Sequence, residues 1–263
     1  VTPSRLSAAF ASRASATGLI PYLTAGYPSL DVSLELMRAF EQAGALAIEV
    51  GVPFSDPIAD GADIQRASEA ALRQGVGARE TLELVRRFRA HSSLPVVLMT
   101  YANPVVRLGA RDFAAQARDA GVDAVLLSDL PPEEMPEMWS ALDAAGLDTV
   151  LLVAPTSSAE RLPALIARCR GFVYCLSRTG VTGQAGGYSG SLDERLAQVR
   201  ALTPLPVAVG FGISTAADAA ALRGRADAAI VGAAFMRLVH QDPGHGAPDR
   251  VRALATEMTA ALR

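Results

Sequence analysis

The chain has 263 residues, 50% of them hydrophobic, and its 24 basic and 27 acidic side chains leave a formal charge of −3. This length suits one α/β domain spanning residues 1–263, no apolar run approaches the roughly 18 residues of a membrane span, and no basic excess points to nucleic acid. All 24 basic residues are arginine, which excludes a lysine Schiff base to a substrate carbonyl and the usual lysine linkage to pyridoxal phosphate.

The first stretch, "VTPSRLSAAFASRASATG", is rich in Ser and Arg and free of acids, a composition shared with transit peptides. Leu6 and Phe10 lie one helical turn apart, however, so a short helix capping a barrel floor is the preferred reading. Short apolar runs then recur at 18–23, 47–51, 95–99, 123–127, 149–153, 172–176, 206–210 and 228–232. Amphipathic stretches such as "DVSLELMRAFEQAG", "RETLELVRRFRAH", "ARDFAAQARDAG" and "SLDERLAQVRAL" separate them, several ending in glycine. Alternating strands and helices imply parallel pairing, and eight units predict a closed (β/α)8 TIM barrel. A doubly wound open sheet is the alternative. An additional helix is expected near 63–74.

His91, His240 and His245 show no metal-ligand spacing, so no metal site is expected. Cys169 and Cys175 fall at a helix end and in an apolar strand, where reduced thiols in the cytoplasm are the expectation. Chemistry is left to carboxylates, hydroxyls and backbone amides.

In such barrels the reacting groups sit at the C-terminal ends of strands and on the loops that follow. In the second strand Ala47, Glu49 and Gly51 share one face, and Ile48 and Val50 the other. The bulky pair should meet the helices, leaving Glu49 inside the barrel between two small residues. Burial disfavours the charged form, so its pKa should rise into a range useful for proton transfer. A structural glutamate hydrogen-bonded across the barrel is the competing reading.

Glycine-bearing turns follow the last three strands: "SRTGVTGQAGG" (177–187), "VGFGIS" (209–214) and "IVGAAF" (230–235). The loops after strands seven and eight commonly hold a phosphate in this architecture, with glycines allowing close backbone approach and helix-terminal amides donating. The segment "SRTGVTGQAGGYSG" reads as a mobile lid.

The strings "PYLTAGYP", "IEVGVPFSDPIADG", "YANP", "LSRTGVTG" and "GFGIS" occur in that order across residues 21–214. Together they closely resemble the α subunit of tryptophan synthase. The resemblance implies cleavage of indole-3-glycerol phosphate to indole and glyceraldehyde 3-phosphate. It implies that Glu49 is the acid/base and that Asp60 engages the indole nitrogen, with Tyr174 and Thr182 supporting the pair. It places Gly183, Gly212 and Gly232 at the phosphate and Tyr22 and Met99 around the indole ring. It further implies an αββα complex, with pyridoxal phosphate held by the β subunit and none in this chain. Asp56 and the "YANP" turn at Asn103 would fall in the contact region. Two positions depart from the family pattern. Ala233 stands where a serine usually meets the phosphate, keeping the amide and losing the hydroxyl, and Phe172 replaces a tyrosine seen in some relatives.

Three rival functions are weighed. A histidine-pathway sugar-phosphate isomerase would carry aspartates at the ends of strands one and five, which here read "YLTAG" and "LLVAP". A non-catalytic barrel would not need Glu49 and Asp60 together. A stand-alone lyase releasing free indole differs only in lacking the partner.

Overall fold

The computed structural model describes residues 4–13, 16–177, 192–210, 212–244 and 246–263. Among these, nine parallel strands form the sheet: β1 (Gly18–Thr24), β2 (Ile48–Gly51), β3 (Val96–Thr100), β4 (Ala124–Leu127), β5 (Asp148–Val150), β6 (Leu152–Val153), β7 (Val173–Leu176), β8 (Val207–Gly210) and β9 (Ala228–Val231). The helices are α1 (Arg5–Ser12), α2 (Leu30–Gln42), α3 (Ala62–Arg73), α4 (Ala78–Arg89), α5 (Ala102–Leu108), α6 (Ala110–Ala120), α7 (Pro136–Ala144), α8 (Leu162–Arg168), α9 (Leu192–Arg200), α10 (Ala216–Ala220), α11 (Ala233–Gln241) and α12 (Ala247–Leu262).

The hydrogen-bonded order is β5-β4-β3-β2-β1-β9-β8-β7-β6. The first strand pairs with the last, as Ile20 opposite Ile230 shows, which rules out the doubly wound sheet. The two ends of this order, β5 and β6, are halves of one expected strand interrupted at Leu151. Chain continuity at that residue, not a ladder, completes the ring of a TIM barrel. The added helix expected near 63–74 is α3.

Strand alternation sorts the core into two layers. Ala47, Val97, Ala124, Leu126, Val150 and Ala208 fill the barrel, while Ile48, Val50, Leu98 and Val125 pack outward under the helices. Burying both faces explains why the strands read as continuous apolar runs. Helix α1 closes the floor as expected: Leu6 and Phe10 are buried in the inner cluster, and Phe10 meets Phe172 at 5.7 Å between ring centroids. Polar contacts fix that plug. Arg5 and Arg89 both donate to the buried Asp123, at 2.7 and 3.0 Å, and Ser4 donates to Asp148 at 2.6 Å. Cys169 and Cys175 are buried free thiols.

Candidate active site

Glu49 points into the barrel mouth. Its residue is 2% exposed, and Oε1 has no hydrogen-bond partner among the described residues. A buried polar atom left unpaired is costly, so its presence calls for a reason. Burial, helped by the nearby Asp60 carboxylate, raises the Glu49 pKa from 4.5 to about 8. No described residue reaches across the barrel to hydrogen-bond Oε1.

Tyr22, on β1, lies opposite Glu49 in the parallel ladder, and its hydroxyl is 3.0 Å from Thr24 Oγ1. Its ring and hydroxyl cover the bare Cα of Gly51, where any Cβ would collide with them. Tyr174, on β7, covers Gly210 in the same manner. Two small positions therefore create the room that two tyrosines fill. Met99 is half-buried and packs on the same inner cluster, opposite Gly51 in register. Burial raises the pKa of both tyrosines, and the charges of Glu49 and Asp60 add to the rise, so these four side chains share one electrostatic neighbourhood.

Asp60 sits on the loop between β2 and α3 and is 7% exposed. Burial raises its pKa to about 6, opposed by a hydrogen bond from Tyr101. The Tyr101 hydroxyl also accepts the Ala59 amide at 3.1 Å, and its ring stacks on Phe54 at 4.8 Å. Tyr101 thus grips both main chain and side chain of the Asp60 turn. Its functional place was not recognised from the sequence, although its position directly after β3 is where such barrels carry their chemistry. Asp56, on the same loop, is exposed and accepts from Ser55 at 2.5 Å.

The "YANP" segment is not a turn. It forms the start of α5, with Asn103 exposed in the first helical turn. A proline in that turn interrupts no helical hydrogen bond, because those amides have no intrahelical acceptor. The Ala102 amide instead donates to Asp129 Oδ1 at 2.8 Å, a partner from the loop after β4.

On the same rim, after β9, Gly232 caps α11, and Ala233 is its first residue. No side chain caps this helix. The contrast with α10 is informative: there Thr215 accepts the Asp218 amide, and Asp218 accepts from Ser214 and Thr215. A carboxylate already occupies the start of α10, whereas no side chain among the described residues caps the first turn of α11, whose amides suit an anion. Gly212 has φ +79°, a conformation that suits glycine. A Cβ at Gly232 would press to 3.3 Å from the Tyr22 ring. Thr182, Gly183 and the segment read as a lid lie outside the described residues. Among the described residues no cluster of His, Cys, Asp and Glu could hold a metal ion, and no helix is long and apolar enough to cross a membrane.

Residues 9–263 match the model of the family described as tryptophan synthase alpha chain. The chain is 45% identical to the tryptophan synthase alpha chain of Chromobacterium violaceum, over 99% of this chain and all of that one. Identity to the Burkholderia thailandensis protein is 46%, covering 99% and 96%. Among solved structures, a chain of tryptophan synthase from Mycobacterium tuberculosis superposes with a TM-score of 0.89 at 40% identity, covering 99% and 98%. A chain of the tryptophan synthase α2β2 complex of Pyrococcus furiosus gives 0.82 at 36%, covering 94% and 99%. The chain belongs to the tryptophan synthase alpha chain family, the carbon–carbon lyases that cleave indole-3-glycerol phosphate in tryptophan biosynthesis.

Proposed function

We propose that Glu49 and Asp60 divide the retro-aldol cleavage of indole-3-glycerol phosphate between them. The observation that carries this reading is the buried Glu49 acid, its Oε1 unpaired among the described residues and its pKa near 8, beside an Asp60 near 6. Between those values Glu49 is neutral and can donate, while Asp60 is ionised and can accept. Environments that separate two pKa values assign the acid and the base.

The indole ring serves as its own electron sink. Glu49 delivers its proton to ring carbon C3, giving an indolenine whose positive N–H is held by the Asp60 carboxylate. The resulting Glu49 carboxylate takes the proton of the adjacent glycerol hydroxyl. The oxygen electrons form the new carbonyl, and the C–C bond pair returns to the ring. Indole and glyceraldehyde 3-phosphate leave, and the proton taken from the hydroxyl leaves Glu49 in its starting acid form. Tyr22, Met99 and Tyr174 wall the ring. The amides at Gly232 and Ala233, with the Gly212 turn, receive the phosphate. Thr182 and Gly183, in the segment after β7, are assigned to the same substrate by the family resemblance.

This assignment predicts a bell-shaped pH dependence of kcat/KM, with limbs near 6 and 8 belonging to the coupled pair. Initial rates across pH 5–9, with the fold monitored in parallel, provide the check. A flat profile through pH 8 would remove Glu49 as the proton donor.

The chain works with a β subunit that holds the pyridoxal phosphate, in an αββα assembly in the cytoplasm. In support, the rim beside Tyr101 carries Ile58 at 82% and Val106 at 50% exposure, next to exposed Asp56 and Asn103. Exposed aliphatics among polar groups suit a protein partner. Adding β subunit should raise the cleavage rate by favouring the closed form. A flat titration, with complex formation shown separately, would favour the stand-alone lyase.

A further inference from the structure

Helix α11 joins the two halves of the site. It starts at Gly232 and Ala233, and its later residues Arg237 and His240 reach Asp63 at the start of α3, the helix that follows Asp60. Arg237 donates to Ser214 Oγ at 2.9 Å, on the loop that follows Gly212. The same guanidinium lies 3.8 Å from Asp63 Oδ2, three residues past Asp60. His240, one turn further along, bonds to the Asp63 carbonyl through Nε2 at 2.9 Å and to the Tyr27 hydroxyl through Nδ1 at 2.7 Å. A carbonyl only accepts, so Nε2 carries a proton and donates to Asp63. The His240 and Tyr27 rings also pack at 4.9 Å.

Neither Arg237 nor His240 is needed for the chemistry proposed above. Their bonds are not local helix contacts either, since they reach the loop after β8, the start of α3 and the loop after β1. The loop at Ser214 is itself held, because Asp218 accepts both the Ser214 and Thr215 amides at 2.9 Å. On the acid side, Gln65 Nε2 donates to the Asp60 carbonyl at 2.8 Å, tying the first turn of α3 to Asp60. The loop after Gly212 is therefore connected to the start of α3 through Arg237, by a hydrogen bond at Ser214 and an ion pair at Asp63, and through His240 on the same helix.

We propose that Arg237 is a positioning residue that couples phosphate occupancy near Ser214 to the placement of Asp60 through Asp63, with His240 holding the same helix start. The inference rests on the phosphate reading of the Gly212 and Gly232 turns. Energetic coupling means that each half of the substrate improves binding of the other by the same factor.

The test uses the folded full chain and the two halves as separate probes, glycerol 3-phosphate and indole, titrated alone and each with the other saturating. In the unmodified chain glycerol 3-phosphate should tighten indole binding by about fivefold or more, the lower end of measured couplings. Arg237→Gln should bring that factor close to one, while each ligand alone binds within about twofold of the unmodified chain, as befits a half-exposed ion pair. Asp63→Asn cuts the link from its other end and leaves the backbone carbonyl for His240, so it should give the same loss. The double variant should lose no more than either single one, because both act through one contact. An unchanged coupling factor in both single variants, or none in the unmodified chain with glycerol 3-phosphate bound, overturns the proposal. Failure of glycerol 3-phosphate to bind the unmodified chain is a different result: it sinks the phosphate reading and this inference with it.

Discussion

Glu49→Gln is expected to lower kcat by at least about 100-fold, the lower end of what a positioned acid–base group contributes, with substrate affinity largely kept. The amide has the shape of the acid and no proton to give. Stability should move the other way. The folded chain holds Glu49 neutral up to about 8, whereas the unfolded chain ionises it near 4.5. The folded state thus binds the extra proton throughout this interval. Its contribution is fully present below 4.5 and is lost as pH rises toward 8, at up to about 1.4 kcal/mol per pH unit. Glutamine has no such loss, so the variant's denaturation midpoint should fall less between pH 5 and 8. Single-turnover rates and paired urea titrations at the two pH values check both limbs. Near-normal turnover in a well-folded variant would take Glu49 out of the mechanism.

Ala233→Asp is expected to weaken glycerol 3-phosphate binding by two powers of ten or more. Two charges about 4 Å apart repel by about 4 kcal/mol at a near-surface dielectric. The fold should be retained, because a carboxylate in a first helical turn is favourable in the absence of an anion. Ala233→Ser asks the milder question. A restored hydroxyl should tighten binding by about tenfold, the lower end of the scale for one hydrogen bond to a charged group. Calorimetric titration of both variants separates the two effects. If Asp binds the ligand as well as Ala does, the phosphate does not sit at the start of α11.

Legibility followed the range of the physics. The period-two alternation at Ala47, Glu49 and Gly51 is local, so the inward aim of Glu49 and the outward aim of Ile48 could be read directly, and the two core layers agree. The same holds for Leu6 and Phe10, one turn apart on a helix that had to bury that face. The "YANP" string misled because Asn-Pro is a strong turn signal, and nothing nearby in sequence announces the Asp129 carboxylate that caps α5. Tyr101 opens the same string, and no neighbouring residue marks its role. Its importance lies in bonds to Ala59 and Asp60, some forty residues earlier in the chain.

The sequence by itself determined which residues could do chemistry: no lysine, a glutamate in the second strand and two acids on the loop after it, small residues flanking Glu49, and glycines after the last strands. It also determined the eightfold strand–helix alternation, because apolar periodicity and glycine caps are local properties. Only the tertiary structure decided that the fifth strand breaks at Leu151, that Gly51 and Gly210 make room for Tyr22 and Tyr174, and that α11 spans from Ser214 to Asp63. These depend on pairs of residues distant in the chain and brought together when β1 joins β9. Barrel closure sets those distances, and the desolvation that follows from closure is what carries the Glu49 carboxyl from an ordinary acid to one near 8.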